Sequence, residues 1–362
     1  MAKSFRVIDT GIRDGRRQIA FDQALIDAHQ SGRIPDTIRF LRFPRTVLIG
    51  RHQALSREIK LAHCREHGIG VVRRITGGGA LYFDEGQLGW ELVFHRATLG
   101  ITALGDLARG ICEGAALGLA KLGVAAKFRP RNDIEVDGRK ISGTGGFFDG
   151  DTLFYQGTVL IDMNPADMLA ALNVPNAKAI QRPLDAAAQR VVTLKELLGV
   201  APPIETIQRM LLAGFAERLG IEPVQGAITA EEESLAARHY DDEIGTDAFV
   251  AEIDDPGAGA GVRVGTRSSP GGTITAYVRC EGPREERIRE VLITGDFFVT
   301  PPRTVYDLEA ALRGVAVGEA GQAIEQFFTG AKIGLITVTP TDMRMAVEAA
   351  LAADPQGSIG KA

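Results

Sequence analysis

The sequence predicts an α/β (α+β) protein: a mixed β-sheet with helices packed on it, then a smaller α+β domain. Three observations carry this. Short apolar runs alternate with segments of helical periodicity between residues 18 and 220, with no regular repeat. The composition shifts after about Ile228, where Glu231-Glu-Glu233 opens a charged segment. A length of 362 residues suits two domains. The boundary is set near residue 249, giving a first domain over 1–248 and a second over 249–362; the Gly/Pro segment Pro256–Gly261 is the competing linker.

The elements follow in order. Ile19, Leu25 and Ile26 give a helix over Gln18–His29 that stops near Gly32. Pro44 divides Thr37–Gly50 into two strands with a bend. Arg57–His67 reads as helix with Gly68 as its stop, and Val71-Val72 as a short strand. Leu88–Phe94 is a buried strand. Leu107, Ala108, Ile111, Ala115, Leu119 and Leu122 recur at helical spacing, so Thr102–Leu122 is a helix closed by Gly123. Strands return at Ile134–Val136, Lys140–Ser142 and Thr158–Ile161, and helices at Pro165–Leu172, Val192–Leu198 and Ile204–Leu219. In the second domain, strands are expected at Val262–Val264, Thr273–Arg279 and Glu290–Thr294, and helices at Thr304–Leu312 and Ala320–Phe328. The tail Asp354–Ala362 is expected to fray.

Composition excludes several classes. Hydrophobic residues make up 45%, enough for a proper core. A net charge of −5 argues against general nucleic-acid binding. Cys64, Cys112 and Cys280 are widely spaced and fit free thiols in a reducing compartment, not a disulfide framework or a zinc cluster. The residues Met-Ala-Lys-Ser-Phe-Arg lack the apolar run expected of a signal peptide, and no apolar stretch approaches membrane-spanning length. The expectation is a cytoplasmic monomer without a membrane or nucleic-acid partner.

Two motifs carry chemistry. Arg73-Arg-Ile-Thr-Gly-Gly-Gly-Ala80 places three glycines after two cations. Such a run is either a flexible turn or a place where a ligand meets bare backbone; it is neither a Walker A loop nor a dinucleotide fingerprint. Downstream, Asn132-Asp-Ile-Glu-Val-Asp-Gly-Arg-Lys140-Ile-Ser-Gly-Thr-Gly145 contains an Asp-Gly hairpin signal. Most lysines are solvated surface charges, but Lys140 is followed by Ser142, Gly143, Gly145 and Gly146, which leave room beside it. Asn132 and Asp133 sit across the hairpin. Asp133 suits Mg²⁺ if a phosphate shares the ion; alternatively the pair is simply a strand-start turn.

Together, Arg73-Arg-Ile-Thr-Gly-Gly-Gly-Ala-Leu-Tyr-Phe-Asp84, Asn132-Asp-Ile, Gly138-Arg-Lys-Ile-Ser-Gly143 and Gly157-Thr-Val-Leu-Ile-Asp162 resemble lipoate–protein ligase A in order and spacing. The similarity covers roughly residues 18–220. Ile293-Thr-Gly-Asp-Phe-Phe298 with Tyr306–Gly314 is similar to the accessory domain of the same ligases, which supports adenylation and moves between the half-reactions. The resemblance implies the biotin/lipoate-ligase type of sheet domain fused to that accessory domain. It implies ATP, Mg²⁺ and lipoate as reactants, lipoyl-AMP as intermediate, and a lysine on a lipoyl domain or other lipoate-binding protein as acceptor. Lys140 would contact the acyl carbonyl and α-phosphate, where negative charge develops. Gly77, Gly78 and Gly79 would lie beside the acyl chain, and Asp133 would meet the metal. Arg73, Arg74, Ala80, Asp84, Asn132, Ser142, Gly143 and Thr158 would complete the lipoyl-AMP site. Leu48, Val72 and Leu160 are candidates for the acyl tunnel, or ordinary core.

The chain departs from that family at two places. Family members usually carry histidine where this chain has Phe83, and often His-His-Gly where it has Tyr155-Gln156-Gly157. An unusual acceptor protein is one implication. The competing functions are an octanoyl or lipoyl transferase of the same superfamily, which works through a cysteine nucleophile without ATP, and a non-catalytic module that binds a lipoylated partner.

Overall fold

The computed structural model describes residues 3–101, 103–130, 132–173, 189–330, 333–335 and 337–356. The chain divides into two compact units. The first comprises residues 1–49, 58–75 and 80–250; the second comprises 50–57, 76–79 and 251–362.

Among the described residues of the first unit, eleven strands are formed: β1 (Lys3–Ile12), β2 (Thr37–Arg42), β3 (Thr46–Ile49), β4 (Gly70–Arg73), β5 (Leu81–Phe83), β6 (Gln87–His95), β7 (Lys127–Arg129), β8 (Asp133–Val136), β9 (Arg139–Asp149), β10 (Thr152–Leu160) and β11 (Ile221–Gln225). Eight of them make one sheet in the order β11-β1-β2-β6-β10-β9-β8-β7. β1 runs parallel to β11 and β2, and the pairs from β2 to β7 are antiparallel. The expected mixed sheet is therefore present. A small second sheet, β4-β3-β5, pairs β3 parallel to β4 and antiparallel to β5.

Side chains alternate across the large sheet with the period of two that a strand imposes. Val7, Phe40, Trp90, Leu92, Phe94 and Tyr155 pack with the helices Leu104–Ala120 and Ile204–Leu219. Their chain neighbours Ile8, Leu41, Val93 and Phe154 pack on the opposite face with the helix Gly15–Gln30. That helix starts at Asp14, whose carboxylate accepts the N–H groups of Arg16 and Arg17. Because β6 is buried on both faces, it reads in the sequence as a nearly continuous apolar run.

Several expectations change in detail. The helix expected over Arg57–His67 is two short ones, Leu55–Glu58 and Leu61–Glu66. The backbone between them is taken by a bridge from Ile59 to Leu172 and by the bond from the Lys60 N–H to the Ala171 carbonyl. The long helix begins at Leu104, and Thr102 lies outside the described residues. The strands expected at Lys140–Ser142 and Thr158–Ile161 are the ends of the much longer β9 and β10.

The second unit contains β12 (Arg263–Ser269), β13 (Gly272–Glu281) and β14 (Arg287–Gly295) as an antiparallel meander. β15 (Val299–Thr300) pairs with β16 (Gly334–Leu335). Ile274, Ala276, Val278 and Ile293 form a core with Leu308 and Leu312, Ile324, and Ala346 and Val347 from three helices. The last helix, Pro340–Ala352, opens on a capping box at Thr339 and Asp342. Of the tail expected to fray, Gln356 exchanges backbone bonds with Gly261 and Val262, and residues 357–362 lie outside the described residues. Among the described residues, no helix is long and apolar enough to cross a membrane.

Candidate functional site

The hairpin between β8 and β9 sets the position of Lys140. Asp137 and Gly138 hold φ angles of 50° and 79°, the left-handed pair that a two-residue turn requires. Pairing runs from Val136–Arg139 to Glu135–Lys140, then skips one residue of β9 and resumes as Ile134–Ser142 and Asp133–Gly143. The extra residue is a β-bulge, which redirects side chains locally.

As a result the Lys140 side chain folds back over Gly143. A Cβ there would lie 2.7 Å from both Cε and Nζ of the lysine. The ammonium reaches Asp133, with Nζ 2.8 Å from Oδ1 and side-chain exposures of 35% for the lysine and 13% for the aspartate. Arg129, on β7, pairs with the other Asp133 oxygen. The site is thus a half-open cation fixed by a largely buried carboxylate that a second cation also holds.

Its surroundings are ordered. The Gly143 N–H donates to Thr158 Oγ1 at 3.3 Å. Asn132 Nδ2 donates to the Thr144 carbonyl at 3.0 Å. The Ser142 hydroxyl is buried and has no hydrogen-bond partner among the described residues. Lys140, Asp133, Asn132, Ser142, Gly143 and Thr158 therefore lie together on three adjacent strands. Sequence reasoning missed Arg129 and Thr144, which hold Asp133 and Asn132. Asp133 and Glu135 alternating opposite a basic strand was the available signal for Arg129.

The remaining candidates lie elsewhere. Arg73 and Arg74 are buried at the end of β4. The Arg73 guanidinium donates to the carbonyls of Phe249 and Val250, between 2.9 and 3.2 Å away. Arg74 donates to the Leu48 carbonyl at 3.1 Å, and burial brings its pKa down to about 10. Ala80 is partly exposed just before β5. Asp84 accepts the Gly86 N–H at 2.9 Å, and burial pushes its carboxyl up. It lines a cleft of about 650 Å³ with Arg45, Asp162, Ile161 and Ile204, and Lys140 is not among the lining residues. Leu48, Val72 and Leu160 are all buried. Phe83 is buried against Phe43, ring centroids 4.9 Å apart.

The glycine triplet belongs to the second unit. The Gly78 N–H donates to the Phe297 carbonyl at 3.0 Å. A Cβ on Gly77 would stand 2.2 Å from that same oxygen, so only glycine fits. The Gly295 N–H in turn donates to the carbonyl of His52, whose ring stacks on Phe297 at 5.5 Å.

The three thiols are not activated. Burial pushes Cys64 and Cys280 up, and pushes Cys112 up to about 11. Cys112 nevertheless reaches the site's support, with Sγ 3.3 Å from Thr144 Oγ1 and 3.4 Å from the Tyr155 hydroxyl. Among the described residues, no group of three or more His, Cys, Asp and Glu is placed to hold a metal ion.

The lipoyl protein ligase A/B catalytic domain matches residues 14–216 of the chain. Octanoyltransferase LipM of Kyrpidia tusciae is 29% identical over 269 residues, covering 67% of this chain and 98% of its own length. Lipoate-protein ligase A subunit 1 of Thermoplasma acidophilum is 29% identical over 244 residues, covering 65% and 91%. A solved lipoate-protein ligase A bound with ATP matches at 27% identity with a TM-score of 0.60, over 70% of this chain and all of its own. LipL1 of P. falciparum, solved with lipoate, shares the fold at a TM-score of 0.72 and 16% identity, over 94% of this chain and 97% of its own. With more than half of its length inside the matched domain, the chain belongs to the lipoyl protein ligase A/B catalytic-domain family.

Proposed function

We propose that the chain is an ATP-dependent lipoate–protein ligase. The observation that carries this reading is the state of its thiols beside the state of its lysine. A cysteine nucleophile works as thiolate and needs a lowered pKa, whereas burial raises all three cysteines here. Lys140 offers a fixed, half-open cation instead, which is what adenylation needs. That reaction requires positioning and charge compensation more than covalent help from the protein.

In the first step a lipoate carboxylate oxygen attacks the α-phosphorus of ATP. The bond to the bridging oxygen breaks, pyrophosphate leaves, and lipoyl-AMP remains. In the second, the acceptor lysine amine attacks the acyl carbonyl. AMP leaves, and the amine gives up a proton. Lys140 sits at the carbonyl and α-phosphate, with Asn132, Ser142, Gly143 and Thr158 around them. Mg²⁺ would enter as part of the ATP substrate, since one carboxylate plus phosphates suffices for it; Asp133 would serve as that carboxylate only by yielding an oxygen now paired with Lys140 or Arg129.

The second unit serves as the accessory domain of adenylation. Its Gly-Asp-Phe-Phe segment supports this, as does the Thermoplasma relative, named as a subunit, which aligns with 65% of this chain. Three free thiols suit a cytoplasmic enzyme, and a monomer is the expected state. The acceptor is a lipoyl domain or another lipoate-binding protein.

The deciding experiment is lipoate-dependent ATP–pyrophosphate exchange, followed by ATP-dependent lipoylation of a panel of lipoyl domains. Exchange and ATP-dependent transfer are expected, and each cysteine-to-alanine variant should retain transfer within about tenfold, as for loss of a weak hydrogen bond. Octanoyl transfer without ATP, abolished in one such variant, would establish the transferase reading, which the Kyrpidia octanoyltransferase keeps in play. Neither exchange nor transfer by folded protein would leave the non-catalytic binder.

A further inference from the structure

Behind the hairpin, the buried side chains of Tyr155 and Cys112 converge on Thr144, which holds Asn132. Tyr155 lies on β10 opposite Gly146, where a Cβ would come within 2.8 Å of the tyrosine ring. The Phe154 carbonyl oxygen, 2.2 Å from that Cβ position, already requires glycine there, and the ring reaches past it to Thr144 on the same face. The two hydroxyl oxygens are 2.7 Å apart. Thr144 Oγ1 donates to the Asn132 carbonyl at 3.0 Å, and the Thr144 N–H donates to the same oxygen at 2.8 Å.

Counting protons fixes the direction. A threonine hydroxyl has one hydrogen, and it goes to Asn132. Tyr155 must therefore donate to Thr144, leaving its own oxygen or that of Thr144 to accept from the Cys112 thiol, which lies 3.4 and 3.3 Å away. Burial pushes the Tyr155 hydroxyl well above its ordinary range, so it remains a neutral donor. Asn132 Nδ2 returns a bond to the Thr144 carbonyl. Residues 132 and 144 are thus clasped by three hydrogen bonds, immediately beside the pair Asp133–Gly143 over which the Lys140 ammonium rests.

We propose that Tyr155 is a positioning residue for the adenylation site. Its hydroxyl, through Thr144, fixes the Asn132–Asp133 entry to the hairpin and so the carboxylate that holds Lys140. This rests on the ligase reading.

Tyr155→Phe and Thr144→Val each remove one hydroxyl and keep the volume. Each should lower kcat for lipoate-dependent exchange about tenfold, the loss of one buried hydrogen bond, with KM for ATP and lipoate within about twofold. Thr144→Ser keeps the hydroxyl and should restore kcat. Independently of turnover, the Thr144 amide should exchange with solvent about tenfold faster in both damaging variants, while amides of the helix Leu104–Ala120 keep their protection. Wild-type protection of the Thr144 amide in Tyr155→Phe and Thr144→Val overturns the proposal, as does a kcat that Thr144→Ser fails to restore. Absence of exchange activity in the wild type would instead remove the ligase reading, and the amide measurement would still decide this one.

Discussion

Gly143→Ala tests the lysine site without touching a charged group. The backbone at Gly143 is not in the left-handed region, and the only atoms that a new Cβ would crowd are Cε and Nζ of Lys140, both at 2.7 Å. Ordinary contact begins at 3.4 Å, so the ammonium must retreat by at least 0.7 Å. The end of a flexible side chain retreats cheaply. Stability should therefore change by no more than about 1 kcal/mol, since alanine restricts the unfolded chain while the weakened, partly exposed ion pair contributes little. The chemistry is less forgiving: a misplacement of about 1 Å costs about a hundredfold in rate. Lipoate-dependent ATP–pyrophosphate exchange should fall by about that factor, with an unfolding midpoint near that of the wild type. Exchange within about threefold of the wild type would refute the placement of Lys140 at the reacting atoms. A large loss of stability would refute the claim that the glycine is kept for the lysine and not for the fold.

Lys140→Ala should cut adenylation by about two to three orders of magnitude, as for one oxyanion-type donor, and Lys140→Arg should not rescue it, because a planar fork does not replace a compact ammonium; single-turnover lipoyl-AMP formation checks both. In the second unit, burial lifts the Glu309 carboxyl up to about 7 while Oε1 accepts the Ile293 N–H at 2.6 Å. The native state then holds a proton that the unfolded state has released between about pH 4.5 and 7, so stability falls as pH rises through that window, by up to about 3 kcal/mol. Glu309→Gln should flatten this slope in the amide-exchange protection of β13 and β14, and parallel slopes in the two proteins would refute the buried-carboxyl account.

The parts of the fold that local physics determines were legible. The helix Ile204–Leu219 has the expected bounds, because its apolar spacing and flanking Pro203 and Gly220 are all local signals. The Asp137-Gly138 turn was legible for the same reason. β9 was cut short at Ser142 because Gly143, Gly145 and Gly146 depress strand propensity. Those glycines answer neighbours that a single strand cannot display: Lys140 occupies the space above Gly143, and the β10 backbone at Phe154 and Tyr155, with the Tyr155 ring, that above Gly146. The helix Pro340–Ala352 lies outside the expected elements, although Thr339, Pro340 and Asp342 carry its start signal.

The glycine triplet shows how a motif and its explanation can lie far apart. Read locally, Gly77-Gly-Gly79 was a turn or a ligand cradle of the first domain. In the structure its immediate partner is the Phe297 carbonyl, which leaves no room for a side chain at Gly77 and accepts the Gly78 N–H. Gly50 repeats the constraint from the other side, since a Cβ there would stand 1.9 Å from the Gly78 carbonyl oxygen. Two close approaches that require glycine, at Gly77 and Gly50, and two backbone bonds, Gly78–Phe297 and Gly295–His52, thus join residues 50–52, 76–79 and 295–298 into one backbone cluster. Gly77 and Gly78 of the first family motif touch Phe297 of the second, both within the second unit. The strict need for glycine at position 77 therefore follows from packing alone, and any ligand role of the triplet must be compatible with the Phe297 carbonyl at its back.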